Sequence, residues 1–500
     1  MATRAWPLAA LGLLVATTGS AQLIPIRTIP IVQAHQFDLL PSSTRAMGGL
    51  SLAVDDSLLD PFTNPAMGAR LRGSRAFSAP GLYQVSGKTG AGRSLPLGAM
   101  IRSGRWFATA SAAAQQVDLS EQSRLILDVP FVCSCGPAGG ELADQGRSNG
   151  NLFLSAGLGR EIGQGLAIGG SARWAELRGV DAVDLLYAGS ARVRQSGHTL
   201  DLRVGLLKEW SAEQSVSALL VHHRYAAHHD VGFLDAIWDP GVGQFGQRTR
   251  IEANQDQTNT WGLEVRYVHP LGVDGWRLGW SATANAASHP KIPSYDIRSV
   301  QVIPRDPGNS EAFNLGVGVA KRSGTATFGA DLVYEPIWSY TWADTPEAIP
   351  GAGGSTIRAG GKTIENHFRF HNAIFRLGVS DAIALGESPE AVGLQLGLAL
   401  HRIDYSLEQQ DHLTGGFRRL DEGWLEWTPT WGLSARFASW ELRYRGSLVN
   451  GTGRPGVVQD PGPLPAVDAG APILTAPSGP LRLARVRIMT HQIAVSFPLR

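Results

Sequence analysis

The chain has 500 residues, of which 17% are charged, and its 44 Lys and Arg residues nearly balance its 43 Asp and Glu residues. This balance argues against a nucleic-acid-binding protein, which would show a basic excess. No run of 18 consecutive apolar residues follows the N-terminus, which excludes later membrane-spanning helices, and the 60 glycines suit a turn-rich all-β chain.

The first 21 residues have the composition of a secretory signal peptide. Arg4 supplies a positive charge, residues 8–16 form a short apolar run, and residues 19–21 are the small residues that a signal peptidase reads. The run is well short of the roughly 20 residues that span a bilayer. We therefore predict a signal peptide over residues 1–21, with an N-terminal membrane anchor as the alternative.

Residues 36–68 do not alternate cleanly between polar and apolar side chains, and we interpret residues 22–72 as a small plug. Gly48-Gly49 permits backbone conformations that other residues avoid. Asp55-Asp56 can cap a helix start or pair with arginines, and Asn64-Pro65 is a turn signal. The alternative is that these residues only fold the segment and contact no ligand.

From about residue 94 onward, apolar and polar side chains alternate along the chain. In residues 276–285, for example, Trp276 and Leu278 fall on one face of an extended strand, and Arg277 falls on the other. The pattern predicts up to sixteen strands, near residues 75–86, 94–103, 105–118, 148–160, 163–176, 198–210, 214–226, 259–269, 275–287, 311–321, 324–335, 364–379, 390–405, 424–437, 439–449 and 484–497.

Three features favour a transmembrane barrel over a soluble β-sandwich. The segments are about 9–15 residues long, enough for a tilted strand to cross a bilayer. Aromatic residues such as Trp210, Trp261 and Trp440 lie at or near segment ends, as in the girdles of outer-membrane barrels. Short and long connections alternate, with long outer loops expected near 227–258, 336–362, 406–422 and 450–480. The chain is therefore expected to form an antiparallel β-barrel over residues 73–500, in the outer membrane.

The polar faces of these strands are expected to line the lumen, because charged side chains are costly on a lipid-facing surface. Acidic and basic groups are mixed there, which favours mutual pairing over a filter for ions of one sign. The expected lumen-lining residues are Asp201, Arg203, Glu264, Arg266, Arg277, Asp331, His401, Glu441, Arg443 and Arg445.

Other candidate sites in the sequence give weaker indications of a function. Cys133 and Cys135 suit a loop tip, with or without a local disulfide. A histidine-rich stretch over residues 222–230 offers metal-ligand residue types, but neighbouring histidines on a strand face opposite sides. No phosphate-binding loop or nucleophile elbow is present, so we expect no enzyme activity, no catalytic residues, no metal and no cofactor. A hydrolase with Ser, His and Asp on one barrel stays open as an alternative.

The N-terminal segment resembles the start of the FadL-type long-chain fatty-acid transporters and of the related PorV-type barrels. The matching elements are Arg45-Ala46-Met47-Gly48-Gly49, Leu52-Ala53-Val54, Asp55-Asp56 and Asn64-Pro65-Ala66, in the family's order and spacing. The resemblance implies a barrel of about 14 strands closed by the N-terminal plug. It makes Arg45, Met47, Gly48, Gly49, Asp55, Asp56, Asn64, Pro65 and Ala66 the expected plug or gate residues.

The resemblance implies passive uptake of hydrophobic small molecules such as long-chain fatty acids, gated by the plug. The expected partners are membrane lipids, a hydrophobic ligand and, during biogenesis, the barrel assembly machinery, with no nucleic acid. The alternative is a PorV-like barrel that binds a protein partner through its long outer loops or serves a secretion system.

Overall fold

The computed structural model describes residues 36–88, 90–118, 148–180, 192–239, 244–289, 295–297, 300–304, 307–384, 390–455 and 483–499. The predicted signal peptide and the two cysteines lie outside these residues. Within the described ranges, no helix is long and apolar enough to span a bilayer.

Nearly all regular structure is β-strand. The strands are β1 (Arg75–Ser78), β2 (Gly81–Val85), β3 (Ala91–Ser103), β4 (Trp106–Asp118), β5 (Ser148–Gly163), β6 (Leu166–Leu177), β7 (Arg192–Ser211), β8 (Gln214–Asp239), β9 (Gln244–Pro270), β10 (Trp276–His289), β11 (Tyr295–Ile297), β12 (Val300–Pro304), β13 (Gly308–Ser323), β14 (Ala326–Asp344), β15 (Ile349–Pro350), β16 (Thr356–Ile357), β17 (Lys362–Ala384), β18 (Ala391–Asp411), β19 (Phe417–Arg436), β20 (Glu441–Pro455) and β21 (Leu483–Pro498). Four of them, β11, β12, β15 and β16, are short strands in connections.

The remaining strands form a closed antiparallel barrel of sixteen wall strands, with β1 and β2 together making the first. Both β1 and β2 pair with β3 on one side and with β21 on the other, so the last strand closes the sheet onto the first. The predicted all-β barrel is confirmed. Sixteen is the number of alternating segments in the sequence, whereas the family resemblance implies about fourteen.

The first wall strand is interrupted at Ala79 and Pro80, which separate β1 from β2. The register places Pro96 of β3 opposite Ala79, whose N–H donates to the Pro96 carbonyl oxygen at 3.2 Å. Proline has no backbone N–H and therefore cannot donate to the ladder. The register continues across the break, with Ser78 opposite Leu97 and Gly81 opposite Ser94.

The outward face of the barrel carries an apolar band between two levels of aromatic residues. Trp210, at the short-turn end of β7, is 57% exposed, and Trp261, nine residues before the end of β9, is 55% exposed. Nine residues at about 3.3 Å and a tilt of about 40° span roughly 23 Å along the barrel axis. This height matches the apolar band of about 25 Å in outer-membrane barrels.

Several strands continue beyond the length that alternation predicts. The expected long loop at 227–258 is mostly strand, because β8 runs to Asp239 and β9 begins at Gln244. The expected loop at 406–422 likewise contains the ends of β18 and β19. Above the membrane both faces of a strand meet water, so the ladder of hydrogen bonds continues after the apolar alternation has stopped.

The described N-terminal segment (residues 36–72) has little regular structure. It contains the helix α1 (Asp60–Thr63) and two 3₁₀ helices, Arg45–Met47 and Pro65–Arg70. Two buried clusters join it to the wall: Phe62 and Met67 pack with Phe77 and Phe107, and Leu50 packs near Ala320. The core of the molecule therefore lies between this segment and the barrel wall.

Candidate functional site

The N-terminal segment contacts strands on several sides of the closed sheet and so lies inside the barrel. It meets β6 and β7 through its second 3₁₀ helix and β17 to β20 through its first. Glycines on the wall allow this approach. A Cβ added to Gly378 would lie 2.3 Å from the carbonyl oxygen of Met47, and one added to Gly279 would lie 2.1 Å from that of Leu52.

Gly48 and Gly49 both have positive φ, of 73° and 77°. A Cβ on Gly48 would lie 2.8 Å from two wall carbonyl oxygens, those of Leu377 and Leu398. The Gly48 N–H donates to Thr430 Oγ1 at 2.9 Å. Glycine is therefore required here by both backbone conformation and space.

Asp56 holds the two halves of the segment together. Its Oδ1 accepts hydrogen bonds from the N–H groups of Ser43, Leu58 and Leu59 at 2.9–3.1 Å, and its Oδ2 accepts from the Thr44 hydroxyl at 3.2 Å. The Ser42 hydroxyl also donates to this carboxylate. A buried carboxylate that accepts several N–H bonds replaces the backbone partners that an irregular segment lacks.

Asp55 contacts three guanidinium groups and links the segment to the wall through two of them, those of Arg266 and Arg277. Its Oδ1 lies 2.7 Å from Arg70 Nη1 and 3.0 Å from Arg266 Nη2, and its Oδ2 lies 3.3 Å from Arg277 Nη1. Burial alone would raise the pKa of Asp55, but these three cations outweigh it and hold that pKa well below its usual range. Asp55 therefore stays ionised, and its predicted pairing with luminal arginines is present.

Wall arginines also satisfy carbonyl groups at the end of α1. Arg203 Nη1 donates to the carbonyl oxygen of Thr63 at 2.9 Å, and Arg173 donates to that of Phe62. Asp201 holds Arg203 in place by accepting two hydrogen bonds of 2.7 Å from its Nε and Nη2. The last carbonyls of a helix have no partner within the helix, so these contacts fix α1 to β6 and β7.

Asp331 supplies a matching acceptor on the opposite wall. Its Oδ2 accepts from the N–H groups of Ser51 and Leu52 at 2.8 and 3.3 Å. Arg376, whose side chain is only 4% exposed, lies 3.9 Å from the same carboxylate. The sequence did not single out Arg376, because the segment at 364–379 has a ragged alternation.

The Asn64-Pro65-Ala66 triplet forms the joint between α1 and the second 3₁₀ helix. Asn64 Oδ1 accepts from the Ala66 N–H at 3.1 Å, and Asn64 Nδ2 donates to the carbonyl oxygen of Ala218 at 3.1 Å. Pro65 occupies the first helical position, where its missing N–H has no cost. At the other end of the segment, Met47 is buried and Arg45 pairs with Asp38 at 2.8 Å.

The remaining predicted lumen residues divide into two groups. Arg445 reaches the segment, since its Nη2 donates to the carbonyl oxygen of Asp38 at 3.2 Å. Glu441 and His401 have partners on the wall, since Glu441 lies 2.7 Å from Arg443 and His401 lies 3.8 Å from Glu426. Glu264 lies on β9 opposite Thr283 of β10. The structure thus brings Arg203, Arg266, Arg277, Asp331 and Arg445 to the segment.

The histidine-rich stretch does not converge on one point. His222 stacks against Trp261 with 4.4 Å between ring centroids, whereas His223 lies 3.9 Å from Asp201. His228 pairs with Asp230 at 2.9 Å. Among the described residues, no group of three or more His, Cys, Asp or Glu residues is arranged to hold a metal ion.

A cavity of about 720 Å³ lies at the interruption of the first wall strand. Its outer side is formed by the outward-facing side chains of Leu82, Leu95 and Ile493, which are 51%, 53% and 49% exposed. A smaller cavity of about 20 Å³ is lined in part by the inward-facing residues Gln36, Tyr83 and Gln492. The two cavities share Gly81, Leu82, Arg93, Ser94, Gln115 and His491. They therefore adjoin at the interruption of the first wall strand.

The first described residues of the chain cover the luminal side of this interruption. Gln36 and Gln115 exchange hydrogen bonds, with Gln36 Nε2 donating to Gln115 Oε1 at 3.2 Å and Gln115 Nε2 donating to the Gln36 carbonyl at 2.7 Å. Gln492 Nε2 donates to the carbonyl oxygen of Leu39 at 3.0 Å. All of these contacts are hydrogen bonds between uncharged groups.

An apolar cluster lies on the inner wall nearer the long connections. It is made of Ala312, Ile337, Phe368, Phe370, Ile403, Tyr405, Leu407 and Trp424 on β13, β14, β17, β18 and β19. The Tyr405 hydroxyl donates to Glu422 at 2.9 Å, and Trp424 Nε1 donates to Glu426 at 3.3 Å. The lumen thus has an apolar lining on the long-connection side of the N-terminal segment.

No family model matches the chain, and no curated protein matches it. Similar solved structures include a FadL homologue of Pseudomonas aeruginosa, with 12% identity and a TM-score of 0.45 over 92% of this chain and 99% of that one. The toluene transporter TbuX of Ralstonia pickettii has 11% identity and a TM-score of 0.38 over 91% and 97% of the two chains. The toluene transporter TodX of Pseudomonas putida has 11% identity and a TM-score of 0.36 over 91% and 96%. The FadL-type family, which the N-terminal motif resembles, is thus represented among these structures.

Proposed function

We propose that this protein is an outer-membrane transporter for the passive uptake of hydrophobic small molecules, with the N-terminal segment as its plug. The observation that carries the proposal is the cavity of about 720 Å³ at the interrupted first strand. It combines an apolar outer side with a luminal side covered by residues 36–39, which suits an exit toward the membrane.

The arrangement of apolar surfaces supports a route for such a ligand. An apolar molecule would enter from the long-connection side along the cluster that includes Phe370 and Trp424. It would leave between β2 and β3, past Leu82 and Leu95, into the hydrocarbon. Transfer of apolar surface from water to hydrocarbon is favourable, so this direction of transport needs no energy source.

Size substitutions at Gly81 test this function. Gly81 lines both cavities, and a Cβ added to it would lie 3.3 Å from Ser94 Oγ, 3.4 Å from the His491 carbonyl oxygen and 3.9 Å from Gln492 Cβ. In proteoliposomes, Gly81→Trp is expected to reduce the uptake of a fluorescent fatty acid at least tenfold. Gly81→Ala, the matched control, should retain most of the uptake.

Uptake that is equal in Gly81→Trp and the wild-type protein would refute transport through this cavity, provided that both variants retain the thermal stability of the barrel. Lipids extracted from the purified protein supply an independent readout. Enrichment of a fatty acid or another amphiphile over a control barrel would name the ligand class.

One observation favours an interaction barrel as the second candidate function. Among the described residues, the last pair between β7 and β8 is Arg192 with Gly232, while β8 continues to Asp239 in a ribbon with β9. Open strand edges can accept a strand from another protein. Deleting residues 233–250 should then abolish co-purification of a stoichiometric partner and leave the uptake of fatty acid unchanged.

A further inference from the structure

Three carboxyl groups of the N-terminal segment lie close together near the short-turn end of the barrel, and their partners differ. Asp55 contacts three guanidinium groups, and Asp56 accepts hydrogen bonds from residues 42–44 and 58–59. Asp60 Oδ2 accepts one N–H bond, from Asp56 at 2.9 Å, and lies 3.9 Å from Arg266 Nη1. Asp60 therefore has the least compensation for a negative charge.

The charged groups around Asp60 also indicate that Asp60 is the carboxyl group that binds a proton. The charged groups that face Asp60 are Asp55, Asp56 and Arg70 of the segment and Arg266 of β9. Two further groups contact these: Arg277 of β10 pairs with Asp55, and Glu209 of β7 pairs with Arg70. Asp55 and Glu209 each have a guanidinium nitrogen within 3.0 Å, whereas the guanidinium nitrogen of Arg266 lies 3.9 Å from Asp60. A proton bound in this cluster is therefore most stable on Asp60, the least compensated carboxyl group.

The electrostatic surroundings of Asp60 support this reasoning. Burial raises the pKa of Asp60 to about 7, because Arg266 offsets only part of the cost while Asp56 and Asp55 add to it. The side chain still keeps 21% of its surface exposed, so a proton can pass between the carboxyl group and water.

We propose that the Asp60 carboxyl is a proton-binding site, and that its proton sets how tightly the N-terminal segment docks onto β9 and β10. When Asp60 is protonated, the Arg266 guanidinium donates hydrogen bonds to Asp55 and to the carbonyl oxygens of Leu52 and Val54. When the carboxyl O–H releases its proton to water, the new negative charge competes for Arg266 and repels Asp55 and Asp56. Ionisation of Asp60 therefore loosens the docked segment.

The sign and the size of the effect follow from linkage. The docked segment binds the proton more tightly than a free aspartate, whose ordinary pKa is 3.8. The contribution of Asp60 to docking is therefore complete below pH 3.8, decreases as the pH rises toward 7, and levels off above that value. The undocking constant should rise by at most about tenfold for each pH unit in that window. The consequence for uptake rests on the proposed function, whereas the proton site itself does not.

Hydrogen–deuterium exchange of the full-length protein in lipid nanodiscs tests the proposal. Protection factors of the amides in residues 51–60, corrected for the intrinsic dependence of exchange on pH, are measured from pH 5 to pH 8. In the wild-type protein they should fall by up to about tenfold per pH unit up to pH 7. Asp60→Asn, which mimics the neutral carboxyl, should show no such fall.

Asp274→Asn is the matched control, since Asp274 is an exposed carboxylate in the turn between β9 and β10. It should keep the wild-type profile. A flat wild-type profile would overturn the proposal without any variant, even if Asp60→Asn failed to fold. A slope in Asp60→Asn equal to that of the wild-type protein would overturn it as well. Neither result depends on a measurement of uptake. The exchange experiment can therefore refute the proton site without refuting the transport function, and the uptake assay can do the reverse.

Discussion

Removal of the Asp55 carboxylate should release the N-terminal segment from the wall. In Asp55→Ala, Arg70, Arg266 and Arg277 lose the anion that joins them, and two of these arginines belong to wall strands. The guanidinium groups stay partly buried, with side-chain exposures of 8–22%. They would then lack the Asp55 carboxylate, and a buried charge that has lost its ionic partner destabilises the docked state.

The magnitude can be worked from this geometry. Removing one partner of a buried pair costs about 3–5 kcal/mol, and the 31% exposure of the Asp55 side chain reduces this to roughly 2–4 kcal/mol through solvent screening. The undocking constant of the segment should therefore increase roughly 30- to 800-fold. Because the barrel ladder is untouched, the thermal stability of the wall should change little.

Hydrogen–deuterium exchange at pH 7 measures this effect directly. The amides of residues 51–60 should lose protection in Asp55→Ala, while those of β3 to β5 keep it. Asp118→Ala is the control, because Asp118 pairs with the exposed Arg93 at the far end of β3 and β4. Protection of residues 51–60 within twofold of the wild-type value would refute the assignment of Asp55 as the main link to the wall.

The pH dependence of this link has the opposite sign from that of Asp60. The pKa of Asp55 is lower in the docked state than in a free aspartate. Its contribution to docking is therefore complete above pH 3.8 and disappears only as the pH falls through the lowered pKa. Between pH 5 and pH 8 Asp55 contributes no slope, so any slope measured there belongs to another group.

Three further variants test the site and the orientation of the wall. Gly48→Ala should destabilise docking by about 1–3 kcal/mol more than Gly104→Ala in exchange measurements, since both glycines have positive φ but only Gly48 faces wall carbonyls. Leu202→Arg, on the outward face, should cost roughly 2–4 kcal/mol in folding into lipid vesicles, whereas Glu213→Arg in a turn should cost almost nothing. Gln115→Ala should raise fatty-acid uptake up to about tenfold, because it removes the hydrogen bonds with residue 36 that cover the wall interruption. Unchanged uptake in Gln115→Ala would count against residues 36–39 as the local cover.

The wall was accessible to sequence analysis because its physics is periodic. Each strand between water and lipid must alternate, so segments such as 276–285 predict both the strand and its outward face. The ends of β8 and β9 were not predicted, because the alternation of apolar and polar residues stops at the edge of the lipid. The hydrogen bonds between the two strands continue beyond that edge. The interruption at Ala79 and Pro80 was also missed, since only the register shows that Pro96 of β3 lies beside it.

The contacts of the N-terminal segment were predictable only in part. Pairing of Asp55 with luminal arginines follows from charge, because unpaired charges are excluded from a narrow lumen. The choice of Arg266 and Arg277 does not follow, since it depends on where an irregular chain crosses the barrel. Gly378 and Gly279 carry a signal that alternation analysis does not use: they are inward glycines where a packed lumen would otherwise hold larger side chains.

The distribution of charged and neutral contacts argues that the segment opens locally and not as a whole. Complete withdrawal would break the contacts of Asp55, Asp331 and Arg203 with the segment together, and each of these contacts has a charged donor or acceptor. Gln36 and Leu39, by contrast, are held by hydrogen bonds between neutral groups, each worth about 0.5–1.5 kcal/mol. Asp38 between them contacts the wall through Arg445, whose Nη1 lies 4.0 Å from its carboxylate. Residues 36–39 also cover the cavity, so the neutral contacts of Gln36 and Leu39 lie where a ligand would leave. A proton on Asp60 would then act on the strongly held part, and its effect on uptake would be transmitted along the segment to the part that opens.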